Sequence, residues 1–248
     1  MHSDLEVIGL SHTFEDETEA LKGVSFALAK GETAVVMGPN GAGKSTLLWL
    51  LMGAFKGYSG SININGTNLN DLKDKDRYKK INLVFQNPEN QMFCDTVEDE
   101  ITFAAHNLEI SEEITRKNLD EIAAALGVLP LLKKEPQHLS FGQKKRVALA
   151  SILIIKPEIL LLDEPSSNLD FSSKEKLVNT VNSFKGSKLI VTQDIHFALS
   201  VSERLIYLTN GIITYDGAFK SSELALKCPV LSREVNDLRE KISKCKIF

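Results

Sequence analysis

The sequence is short of the features that mark several protein classes. Its cysteines number only three, Cys94, Cys228 and Cys245. They are widely spaced and lack histidines at ligand spacing, which excludes a disulfide framework and a zinc site and suits a reducing cytosol. Neither charge is in excess: 29 basic residues face 33 acidic ones, a formal net charge of -4, so nucleic acid is not expected as a partner. The first residues, Met1 to Glu6, carry acid where a secretory signal would carry base, and no apolar segment of signal type follows. The longest apolar run, Val147 to Ile155, ends at Lys156-Pro157, far short of the roughly 20 residues of a membrane-crossing helix. Any membrane role is therefore expected to be peripheral. Repeats and low-complexity tracts are lacking as well.

What is present is the composition of a globular protein with a full core: 248 residues, 43% hydrophobic and 25% charged, which excludes disorder and collagen-like repeats. Short β-branched runs at Thr33 to Met37, Ile81 to Phe85, Ile159 to Asp163, Leu189 to Thr192 and Leu205 to Leu208 alternate with helical stretches. That order predicts an α/β fold with a mostly parallel sheet covered on both faces. Leu5 to Ile8 and Val24 to Ala29 read as strands of a separate antiparallel element, joined by Gly60 to Ile64 before an Asn65-Gly66 turn; Asn210-Gly211 signals a further hairpin. From Thr96 to His138 strand signals give way to helical ones, with Thr96 and Ser111 as caps and Gly127 as a stop. This predicts a helical insert over about 96–156, inside a unit spanning 1–220, and a charged helical tail over 221–248 interrupted at Pro229.

After the first buried strand comes Gly38-Pro39-Asn40-Gly41-Ala42-Gly43-Lys44-Ser45-Thr46, and then an apolar helix from Leu47. This is a Walker A segment in its strand-loop-helix setting. Glycines let the loop turn its N–H groups around an anion, and the helix start adds partial positive charge. Lys44 would reach the β- and γ-phosphates, and the Ser45 hydroxyl would be a Mg²⁺ ligand. The apolar strand Ile159 to Leu162 ends in Asp163-Glu164-Pro165, a Walker B segment. Asp163 can hold Mg²⁺ through its water shell, and Glu164 can orient and deprotonate an attacking water. A strand sends neighbours to opposite faces, so the two acids share one site only if the backbone turns, a turn expected at Pro165.

These two segments fit kinases, GTPases and transport ATPases alike. The discriminating segment is Leu139-Ser140-Phe141-Gly142-Gln143-Lys144-Lys145-Arg146, which resembles the LSGGQ signature of the ATP-binding cassette family. The resemblance implies a P-loop NTPase fold (RecA-like) that hydrolyses ATP with Mg²⁺. It further implies that two cassettes, identical or not, pack head to tail, with Ser140, Gly142 and Gln143 of one closing on ATP held by the Walker A loop of the other. Phe141 replaces the first signature glycine, so its ring must point away from nucleotide or toward a partner. By the same resemblance Gln86 is the glutamine that reaches Mg²⁺ and links core to insert, Phe14 the aromatic that stacks on adenine, and Ser167-Asn168-Leu169-Asp170 the D-loop, with Asp170 at the subunit contact. Gln193 stands where the family carries a switch histidine at the γ-phosphate; an amide can donate a hydrogen bond there but cannot carry a proton. His196, three residues on, reads as a surface or packing residue.

Val84-Phe85-Gln86-Asn87-Pro88-Glu89-Asn90-Gln91-Met92-Phe93 is similar to the corresponding loop of energy-coupling-factor importers, the branch that takes up vitamins or cobalt and nickel ions. That likeness implies a transmembrane coupling protein and a substrate-binding membrane component as partners, with the chain peripheral on the cytoplasmic face. It covers residues from about 5 to 220. A repair-type cassette would insert a long coiled coil, yet only 96 positions separate Lys44 from Ser140. Translation-type members pair two cassettes in one chain, and this one has a single P-loop. A kinase or GTPase would leave the Ser140 segment and Gln86 without a task.

Overall fold

The computed structural model describes residues 3–220 and 222–245. In chain order the elements are β1 (Ser3–Thr13), β2 (Glu19–Ala29), β3 (Thr33–Met37), α1 (Lys44–Leu51), β4 (Ser59–Ile64), β5 (Thr67–Asn68), α2 (Asp74–Lys80), β6 (Ile81–Val84), α3 (Val97–Asn107), α4 (Glu112–Ala125), α5 (Phe141–Leu153), β7 (Ile159–Asp163), α6 (Phe171–Ser183), β8 (Ser187–Val191), α7 (Ile195–Val201), β9 (Arg204–Thr209), β10 (Ile212–Ala218), α8 (Ser222–Lys227) and α9 (Pro229–Cys245). The strands form an antiparallel sheet of order β2-β1-β4-β5 and a second sheet of order β10-β9-β3-β8-β7-β6. In the second sheet every neighbouring pair is parallel except β9 with β10, the hairpin closed by Asn210-Gly211.

The alternation of side chains along a strand divides the core into two layers. On β3, Ala34 and Val36 join β1, β2 and the buried leucines of α1, whereas Val35 and Met37 join the opposite layer with α3, α4 and α5. On β7, Ile159 and Leu161 face the first layer and Leu160 and Leu162 the second. The parallel sheet is thus buried on both faces, which its near-continuous apolar strands require.

Several boundaries differ from those expected; β1 and β2, for example, run from Ser3 to Thr13 and from Glu19 to Ala29. β8 begins at Ser187, two residues before Leu189, because Ser187 is a buried polar residue satisfied by Asp4 Oδ2 at 2.6 Å and the Ala29 carbonyl at 3.0 Å. α1 begins at Lys44, directly after its cap Gly43, and α5 at Phe141, directly after its cap Ser140, so the last residues of both segments form the first turns. The tail is two helices, with Pro229 opening the second one. Leu224, Cys228, Leu231 and Val235 bury against the helical layer, beside Tyr215 and Phe219. Position 221, positions 246–248 and the first two residues, on which parts of the tail and leader readings fall, lie outside the described residues.

Candidate nucleotide site

The loop between β3 and α1 can take its shape only with glycine at two points. Gly38 sits so close to β9 that a Cβ would come 1.9 Å from the Leu208 carbonyl oxygen, and at Gly43, with φ at 98°, a Cβ would come 2.4 Å from the Ala20 carbonyl oxygen. Lys44 folds back over this loop, donating from Nζ to the Gly38 and Pro39 carbonyls at 2.8 Å each. Burial pulls its ammonium below the usual lysine value, while Glu164 and Asp163 hold it up. A desolvated cation kept in place by two carbonyls is ready to exchange them for phosphate oxygens.

This loop floors an open cleft of about 550 Å³. Phe14, Asn40, Gly41, Ala42, Gly43, Lys44, Ser45, Thr46, Gln86, Asp163, Glu164 and Gln193 all line it. Gly38 and Pro39 do not line it and meet it only through Lys44, which their carbonyls hold. Phe14 stands just past the end of β1, edge-on to the buried His12 at 4.8 Å and to Phe55 at 5.8 Å between ring centroids.

The two acids share the cleft because the backbone turns at Glu164 itself, where φ is 43°, rather than at Pro165 as expected. The Glu164 N–H donates to the Val191 carbonyl at 2.8 Å, which extends the β7-β8 pairing by one residue before the chain leaves the sheet. Glu164 Oε2 accepts from the Gln193 N–H and the Thr192 hydroxyl, each at 3.2 Å. Its other oxygen, Oε1, is buried without a partner. Asp163 is pushed above the usual carboxylate range by burial and then by the neighbouring Glu164 charge. Its Oδ2 lies 3.4 Å from Ser45 Oγ.

A hydroxyl, a carboxylate and the Gln86 amide oxygen around one cleft are hard oxygen donors, the set that suits Mg²⁺. A buried carboxylate beside a second acid, within reach of a hydroxyl, fits such an ion. Among the described residues no group of three or more His, Cys, Asp or Glu side chains could hold another metal. Gln193 donates from Nε2 to Asn40 Oδ1 at 2.7 Å, so the amide at the switch position spans from β8 to the Walker A loop. His196 is exposed on α7.

Ser140, Gly142 and Gln143 are not brought to this cleft. Ser140 is exposed and caps α5 in a reciprocal box: its Oγ accepts from the Gln143 N–H at 3.4 Å, and Gln143 Oε1 accepts from the Ser140 N–H at 2.9 Å. The Phe141 ring folds back over Lys145, 5.5 Å from the ammonium to the ring centroid. Asp170 caps α6, accepting from the Ser173 N–H at 2.7 Å. Sequence reasoning missed Thr18, Glu19 and Ala20, which line the cleft from the start of β2 and the residue before it; they carry no motif and arrive only through the pairing of β1 with β2. It also passed over Thr192, the second support of Glu164, although it directly precedes Gln193.

A parallel sheet that gathers a phosphate loop and two adjoining acids at the ends of its strands, and leaves the exposed Ser140 capping a helix outside that cleft, defines a P-loop ATPase of the cassette class. Comparison with known proteins places it further. The family described as ABC transporter matches residues 21–167. The energy-coupling factor transporter ATP-binding protein EcfA of Carboxydothermus hydrogenoformans is 32% identical over 98% of this chain and 93% of its own length. EcfA1 of Lactococcus lactis is 36% identical over 97% of this chain and 91% of its own. Among solved structures, cbiO1 of Clostridium perfringens, part of the ABC transporter complex cbiONQ, superposes with a TM-score of 0.78 at 30% identity, covering 95% of this chain and all of its own. The dimeric cassette MJ0796 bound to ADP and Pi superposes at 0.79 with 29% identity over 88% of this chain and 99% of its own. The chain belongs to the ABC transporter family, as an ATP-binding subunit that hydrolyses ATP, and its relatives include energy-coupling-factor ATPases. Alignment over 98% of the chain also corrects the expectation that the tail stands outside the resemblance.

Proposed function

We propose that the chain is the ATPase subunit of an energy-coupling-factor importer, acting as one of a pair of cassettes beneath a transmembrane coupling protein and a substrate-binding membrane component, on the cytoplasmic face. Uptake of a cobalt or nickel ion or a vitamin is the cargo class that the likeness to EcfA and cbiO1 supports. The observation that carries the paired reading is the position of the signature segment: Ser140 is exposed and outside its own chain's cleft. A capped helix start with nothing to bind in its own subunit is suited to a phosphate presented by another. Phe171, 86% exposed directly after Asp170, would be covered in the same contact. No helix among the described residues is long and apolar enough to cross a membrane, so this reading requires separate membrane partners.

In the mechanism, the Walker A loop N–H groups and Lys44 hold the triphosphate, and Phe14 stacks on the base. Ser45, Asp163 and Gln86 would hold Mg²⁺, which when bound offsets charge on the β- and γ-phosphate oxygens. Glu164, held through Oε2 by Thr192 and Gln193, takes the proton of the water that attacks the γ-phosphorus while the bond from that phosphorus to the departing ADP oxygen breaks. Gln193 leaves Asn40 to donate its amide to the γ-phosphate. Glu164→Gln keeps the geometry and removes the base, so with Mg²⁺ and ATP it is expected to accumulate as a dimer in size-exclusion chromatography, alone or with a second cassette. A persistent monomer with any cassette partner would overturn the paired reading.

A further inference from the structure

Lys145 lies outside the nucleotide cleft and none of the tasks above employs it. It sits on α5, two residues after Gln143, and is only 7% exposed. Its ammonium donates to the Glu164 and Pro165 carbonyls at 3.0 Å each, and to the Ser167 carbonyl and hydroxyl at 2.9 Å each. Three N–H protons thus meet four oxygens. Three of those oxygens are carbonyls of one turn, the turn that opens at Glu164 with φ at 43°. Carbonyl dipoles aimed at a common buried point repel unless a cation stands there. Lys145 is that cation, and it comes from the helix whose first turn is the signature segment.

The same turn is anchored on its other side. Ser166 Oγ donates to Asp194 Oδ2 at 3.1 Å, and Lys174 reaches the same oxygen at 2.6 Å; Asp194 directly follows Gln193. A simple filler of this space would be apolar. Instead a charge is kept there although burial pulls the ammonium down to about 8, with Glu164 and Asp163 acting in its favour. The Phe141 ring over the ammonium gives the residue that departs from the signature a place in the same arrangement, as a cation-π cover.

We propose that Lys145 is a positioning residue: by fastening the turn after β7 to the signature helix it sets the backbone of Glu164, and so ties this chain's own catalytic base to whatever its signature segment meets in a neighbouring cassette. The positioning of Glu164 stands without the paired reading. The transmission between subunits rests on it.

The test uses the full chain and the variants K145M and K145Q, with the folded fraction measured by circular dichroism. Methionine keeps length and apolar contacts but donates nothing; glutamine retains two N–H donors. Displacement of the base by a fraction of an ångström to an ångström lowers turnover by about 10- to 10²-fold. The expected result for K145M is that loss in kcat per folded chain, an ATP KM within about twofold of the parent, and a Hill coefficient for ATP that falls toward one; K145Q is expected to recover part of the kcat. An unchanged kcat in K145M, a KM that rises in step with the loss, or K145Q no better than K145M would overturn the positioning role. Should K145M fail to fold, K145Q carries the test: reduced kcat at parental KM supports the role and parental kcat overturns it. If Glu164→Gln forms the dimer but K145M keeps the parental Hill coefficient, transmission alone fails. If Glu164→Gln forms no dimer, the paired reading fails and the kcat result is untouched.

Discussion

At the scale of single residues, Gln193 is the side chain expected to limit turnover in the cleft. Its backbone N–H supports Glu164 at 3.2 Å and its side chain bonds Asn40 at 2.7 Å, so the strand end is held as a histidine would be held, but without a group able to carry charge. Losing a preorganised donor costs about 10²- to 10³-fold in kcat, and an amide retains part of that donor. Gln193→His is therefore expected to raise steady-state turnover of the assembled complex by less than about 10²-fold; an unchanged rate would show that another step limits the cycle. Lys44→Ala removes the buried cation and is expected to abolish ATP binding, read by titration calorimetry with Glu164 intact. Lys44 and Glu164 could be located from the sequence because a glycine or proline beside each marks its loop, and Gln193 because it follows a strand at the place where the resembling family carries its switch residue. Lys145 could not be. Its partners are carbonyls 19 to 22 positions away, and a basic run at the start of a helix reads as a solvated face until the turn beneath it is seen.

At the scale of elements, caps and strand ends were legible where a residue's own side chain does the work. Thr96 starts α3 by accepting from the Asp99 N–H at 3.1 Å, and Ser111 and Gly127 bound α4 as their residue types suggest. Thr96→Ala is expected to cost about 1 kcal/mol in urea denaturation. Less legible were elements held by tertiary contacts, as with the start of β8 at the buried Ser187 and the turn at Glu164, where strand pairing to Val191 fixes a left-handed backbone that no local signal announces. Asp194 joins both kinds: it caps α7 through the Phe197 N–H at 3.0 Å and pairs with Lys174 at 2.6 Å. Burial alone would raise its carboxyl, but the Lys174 and Phe197 hydrogen bonds outweigh it and hold the group below its ordinary value of 3.8. A lowered folded-state pKa means stability that is present above the unfolded value and lost as pH falls through the folded one. Wild type is therefore expected to melt above Asp194→Asn at pH 6, with the gap closing below about pH 4; a gap that persists in acid would assign the difference to packing.

At the scale of the whole molecule, the nucleotide cleft lies on the seam between two sheets, so the seam's rigidity is part of the site. The first sheet contributes the start of β2, and the second contributes the Walker A loop. They are stitched beside the cleft by the Lys22 N–H to the Gly211 carbonyl at 2.8 Å and the Gly211 N–H to the Ala42 carbonyl at 3.1 Å. At the far end of the seam stands Arg204, whose guanidinium donates to the Ala27 carbonyl at 2.7 Å, to Glu32 at 2.9 Å, and to both oxygens of Asp216 at 2.7 Å each. The Asp216 carboxylate holds its pKa above the ordinary arginine value, with Glu32 adding to it. One planar fork therefore joins β2, the β2-β3 loop and the β9-β10 hairpin. A lysine preserves the charge but cannot reproduce four bonds in that plane. Arg204→Lys is expected to lower stability by about 1.5–3 kcal/mol, the range for hydrogen bonds to charged groups. Because Gly43 packs against Ala20 across the same seam, loosening it should also weaken ATP binding although Arg204 touches no nucleotide. Thermal melts without nucleotide, set beside ATP titrations of the folded variant, separate the two effects: a lower midpoint with parental affinity would mean that the seam holds the sheets together without shaping the cleft.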